Sequence, residues 1–138
     1  MAFPELDDFP ERHPGPYECQ MGGIITDLLR VFVGRVPDAE SHARVAELAA
    51  TPARWSAGHA VFDEIRRRLL AAMKAKDVPR ECQHHFEESC CQALYNATAP
   101  ADPFDPGSAF FVAPQALGLA RAVGVPAAEV VAVLAPEP

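Results

Sequence analysis

Apolar residues recur at helical spacing along most of this chain, and prolines and glycines mark off the segments between them. From Glu18 to Gly34, the residues Met21, Ile24, Ile25, Leu28, Leu29, Val31, Phe32 and Val33 make an apolar surface too broad for a one-sided helix, which predicts the most buried element. Gly34 and Pro37 end it, and Asp38 caps a second helix running to Ala50, with Val45, Leu48 and Ala49 on the inner side and His42 at its flank. Thr51-Pro52 reads as a cap followed by a proline in the first turn, starting a long third helix to Lys76. On it Gly58, Val61, Ile65, Leu69 and Ala72 share a face with Phe62 and Met73 beside them, Trp55 stands at the edge, and Asp63, Arg67 and Lys74 point outward.

Asp77-Val78-Pro79 is a short turn, so the third helix and a fourth, Pro79 to Ala97, should form an antiparallel hairpin. At about 100° per residue, Cys82, Phe86, Cys90, Ala93 and Ala97 fall on one stripe, which predicts the buried face. His84, Glu88, Cys91 and Tyr95 form a row on the opposite side, predicted to face outward.

The ends of the chain are punctuated differently. Residues 1–18 carry Pro4, Pro10, Pro14 and Pro16 among acidic side chains and predict an extended arm, with Phe3, Leu6, Phe9 and Tyr17 as apolar points that can lie along the bundle. Residues 98–112, broken by Pro100, Pro103, Pro106 and Gly107, predict a loop whose Phe104, Phe110 and Phe111 call for cover. From Pro114, the spacing of Ala120, Gly124 and Val130 is that of a tight-turn helix pair whose second member runs from Pro126 to Leu134. The expected architecture is all-α: a single-domain bundle of five to six helices, with an arm (1–18), a four-helix core (19–97), a loop (98–112) and a C-terminal helix pair (113–135).

Composition narrows what such a bundle does. With 138 residues, 49% of them hydrophobic, the chain can bury a core without help from a metal or a disulfide. A net charge of −7 opposes binding to nucleic acid or anionic lipid, which call for clustered Lys and Arg. The helix from Pro126 to Leu134 also has no side chain suited to a base edge or a phosphate, so a helix-turn-helix regulator is disfavoured. No run approaches the length of a membrane span, and the first residues lack the pattern of a signal peptide, so a cytoplasmic location with reduced thiols is expected.

The candidate chemistry is concentrated in the fourth helix. The alternative reading is a metal- or thiol-dependent protein using His84, Glu88 and Cys91, with zinc or iron as the metal, but these residues lie in a line along one helix, so a site would need further donors such as His59 or Cys19 from another element. Asp38 and His42, His59 and Asp63, and His84 and Glu88 are each four apart on three different helices, yet the last two pairs sit away from the apolar faces, unlike ligands that converge inside a bundle. No sequence motif of a nucleophilic, metal-dependent or phosphate-binding enzyme is present, which leans away from catalysis. The favoured expectation is a small acidic protein that neutralises or regulates a basic protein partner, as an immunity protein or antitoxin does a toxin. Glu5, Asp7, Asp8, Asp102, Phe104 and Asp105 are its candidate contact residues.

Overall fold

The computed structural model describes the backbone of residues 17–50, 55–98 and 106–134 and the side chains of 23–50, 59–95 and 112–134. Six α-helices account for nearly all of it: α1 (Tyr17–Phe32), α2 (Ala39–Ala50), α3 (Trp55–Ala75), α4 (Val78–Thr98), α5 (Pro106–Val123) and α6 (Ala127–Leu134). They pack as an all-α bundle, and the described residues contain no strand. Residues 1–16 of the predicted arm, the Thr51-Pro52 helix start and the contact candidates Glu5, Asp7, Asp8, Asp102, Phe104 and Asp105 lie outside the described residues, whereas Tyr17 and Glu18, expected in the arm, already belong to α1.

Local chemistry fixes the helix ends. α1 stops where Gly34 takes φ +75°, a conformation that glycine adopts without steric cost. Asp38 then caps α2, its Oδ1 accepting the Ser41 N–H at 3.0 Å. α3 ends in a paired closing turn: the Lys76 N–H reaches Met73 O at 3.2 Å and the Asp77 N–H reaches Ala72 O at 3.0 Å. This turn places Lys76 at φ 56°. The same closure ends α5, where Gly124 has φ +79° and the Val125 N–H reaches Ala120 O at 2.8 Å. Ala120 and Val130 are buried on either side of that turn, as the helix-pair spacing predicts.

One helix boundary differs from expectation. α5 begins at Pro106, so residues 106–112 are helical although a loop was predicted through them. Pro106 occupies the first position, where the missing N–H is not needed. Pro114 lies inside the helix and is exposed, so the bond it cannot make is lost on the wet side.

α4 lies at the centre of the bundle, in contact with α1, α2, α3 and α5, while α6 closes against α1 and α5. The core is continuous from Ile25, Leu28 and Phe32 of α1 through Phe86, Cys90 and Leu94 of α4 to Leu119 of α5 and Val130 and Leu134 of α6. Phe32 and Phe86 meet edge to face with ring centroids 5.4 Å apart. Each such side chain stabilises the fold by about 1.5–3 kcal/mol through burial. On α3, Ile65, Leu69 and Ala72 are buried as expected, but Met73 is exposed because α3 lies at the edge and packs on one side only.

Candidate functional site

The structure reverses the expected orientation of the α4 polar row. His84 and Cys91, predicted to face outward, are 1% and 0% exposed, Glu88 is partly covered, and only Tyr95 has the exposure foreseen. The reason is position. Neighbours surround α4 on both faces, so its polar side packs onto α2 instead of meeting water. Cys90 and Ala93 are buried as predicted, whereas Cys82 is only partly covered.

What α4 carries into that contact is a polar junction with three buried members the sequence reading did not single out: Gln83, Glu87 and, from α2, Ser41. Ser41 Oγ donates to Glu87 Oε2 at 2.8 Å, and His84 Nδ1 lies 3.1 Å from Glu87 Oε1. Gln83 bonds the backbone of Asp38, accepting from its N–H at 3.1 Å and donating to its carbonyl at 2.7 Å. Asp38 Oδ2 accepts from Arg68 of α3 at 2.6 Å, and Arg68 also reaches Glu64 Oε1 at 2.9 Å. Arg44 of α2 completes the chain of charges through Glu64 and Glu40. The junction therefore ties α2, α3 and α4 together, with Ser41, Gln83 and Glu87 each bonded to a partner from another segment and His84 bonded to Glu87 within α4.

Electrostatics follow from these contacts. Burial by itself would raise the Asp38 carboxyl, but the Ser41 N–H, the Arg68 guanidinium and nearby His84 outweigh it and hold Asp38 below its ordinary range. The thiols move the other way. Burial pushes Cys91 up to about 12, with the Glu87 and Glu88 carboxylates adding to it, and burial raises Cys90 well above the usual thiol value.

This arrangement does not resemble a nucleophile with its base. The Ser41 hydroxyl is spent on Glu87, and His84 bonds the same carboxylate instead of the hydroxyl. Nor do the expected ligands come together. His59 is exposed and its ring lies 6.0 Å from that of Tyr95, about 16 Å along α4 from His84 at 1.5 Å per residue. Among the described residues, no group of three or more His, Cys, Asp or Glu side chains assembles in a way that could hold a metal ion. Cys19, the other proposed donor, lies outside the described side chains.

A second feature lies on the far side of α2. His42, expected at a flank, is 3% exposed, with its ring Nε2 3.0 Å from Leu29 O and its Nδ1 without a hydrogen-bond partner among the described residues. It borders a half-open groove of about 300 Å³ between α1 and α2. α1 contributes Thr26, Leu29, Arg30 and Val33; α2 contributes Ala39, Ala43 and Ala46 besides His42. Both sets step by three, four and seven positions, so two matching helical stripes face each other, and Gly34 and Val36 of the connecting turn close one end. The sequence signal for this groove was the run of alanines on α2, which helical spacing places on one face.

Among the described residues, no helix is long and apolar enough to cross a membrane. No family model matches the chain, and neither the curated proteins nor the solved structures include one detectably similar to it.

Proposed function

We propose that this chain is a small cytoplasmic binding protein that docks onto a basic surface of a protein partner and neutralises or regulates it, in the manner of an immunity protein or antitoxin. One observation carries this reading: most of the acidic excess falls in two short stretches of the sequence, 1–16 and 99–105. Segment 1–16 holds Glu5, Asp7, Asp8 and Glu11 against Arg12, and segment 99–105 holds Asp102 and Asp105 with no basic residue, whereas the helical segments are nearly balanced in charge. Phe3, Leu6, Phe9 and Phe104 alternate with those acids, giving each segment the mixture of charge and apolar anchors that protein interfaces use. A scaffold whose inner polar groups are consumed in holding α2, α3 and α4 together suits presentation of such segments better than turnover of a substrate.

The test compares the full chain with a variant in which Glu5, Asp7, Asp8, Asp102 and Asp105 are replaced by Gln or Asn. A basic protein from the source cell should be retained by the first and lost by the second, with association slowing as salt is added. Identical sets of retained proteins would refute the reading.

A further inference from the structure

The groove between α1 and α2 has the make-up of a ligand site, independent of any protein partner. Two helices joined by a short turn ordinarily fill their contact with interlocking side chains. Here Ala39, Ala43 and Ala46 stand on the α2 side, and their short side chains leave the hollow open. Its wall includes Val33, which is 68% exposed, the most of any large apolar side chain among the described residues. An apolar solute lying in the hollow would cover that surface.

Charge selects the class of solute. Of the described residues lining the groove, Arg30 is the one with a full formal charge, and none is acidic. Among the described residues its guanidinium pairs with Asp27 alone, at 3.1 Å, the two side chains being 75% and 55% exposed. Such a surface pair is weak and exchanges readily for another carboxylate in the fork geometry that arginine favours.

We propose that this groove binds a medium-chain fatty carboxylate, its hydrocarbon along the alanine stripe of α2 and its carboxylate on Arg30. Calorimetric titration of the full chain with decanoate, decanol and decylamine tests it. Decanoate should saturate one site and raise the melting temperature in proportion to its excess over the dissociation constant. Decanol should bind about tenfold more weakly and decylamine more weakly still. Arg30→Glu should reduce decanoate affinity at least about tenfold while leaving decanol unchanged. Ala43 is exposed, so Ala43→Trp should fill the hollow and abolish binding of both with little change in the ligand-free melt. If that variant fails to fold, Ala46→Leu serves the same purpose. Absence of saturable decanoate binding, equal affinity for decanoate and decanol, or undiminished binding in the filled variant would each overturn the proposal.

Discussion

Gln83 grips the backbone of Asp38 from 45 positions away, its side-chain amide accepting from the Asp38 N–H at 3.1 Å and donating to the Asp38 carbonyl at 2.7 Å. The amide pairs with the backbone as a neighbouring strand would, at the point where α2 begins. That contact fixes the start of α2 against the middle of the central helix. Gln83→Leu keeps the volume but orphans the Asp38 N–H, and it should destabilise the fold by about 2–3 kcal/mol. Urea denaturation should show a lower midpoint at unchanged slope. A loss below about 0.5 kcal/mol would mean that the two bonds contribute little.

Ser41 and Glu87 should be energetically coupled. Both are buried and bonded at 2.8 Å, and Glu87 also faces His84, so Glu87→Leu strands a hydroxyl and a ring nitrogen in the interior. The expected cost is about 3 kcal/mol. In a double-mutant cycle, Ser41→Ala with Glu87→Gln should show a coupling of about 1–3 kcal/mol, whereas additive effects would place the two groups in separate networks.

Asp38 should contribute to acid unfolding. Its folded carboxyl is held below the ordinary value of 3.8, so the unfolded chain binds its proton more readily. The stability this supplies is complete above that value and is lost as pH falls from there through the lowered folded value. Denaturation midpoints compared for wild type and Asp38→Asn should therefore differ most near neutral pH and converge below about pH 4. A constant difference across that range would count against the assignment.

Thiol reactivity should separate the cysteines of α4. Cys90 and Cys91 are fully covered with raised thiols; Cys82 is partly covered, and burial and then Glu81 raise it less. Iodoacetamide at pH 8, followed by peptide mass spectrometry, should label Cys82 slowly and leave Cys90 and Cys91 intact until denaturant is added. Rapid native labelling of Cys91 would show that the packing of α4 opens.

Lys76 holds a left-handed φ of 56° at the end of α3, a position where glycine is the usual residue. Its side chain is exposed, so Lys76→Gly should raise stability by about 0.5–1 kcal/mol, measurable as a higher melting temperature. An unchanged or lower melting temperature would indicate that the closing turn bears no strain.

Much of the fold is legible in local chemistry. The step of three and four in Ile25, Leu28, Leu29 and Phe32, the cap at Asp38 and the glycines at 34 and 124 each act within a few residues, and the helices lie where those signals put them. The start of α5 was missed because Pro106 stops a preceding helix and begins a following one equally well. Of the candidate ligands, the His84 row was found but turned the wrong way, since a polar face on a helix looks the same whether water or another polar face will meet it.

Short-range chemistry is enough to make this chain helical, to set most helix ends and to pick out most of the core, because those outcomes follow from backbone geometry and hydrophobic spacing over one or two turns; Val33, Met73 and Cys91 are the exceptions. Only the packing of whole helices encloses α4 on both faces, joins Gln83 to the cap of α2 and Glu87 to Ser41, and sets the alanines of α2 along a hollow beside Arg30. Those relationships join residues up to 46 positions apart, and only the packing of whole helices brings such residues within the few ångströms over which hydrogen bonds and contact forces act.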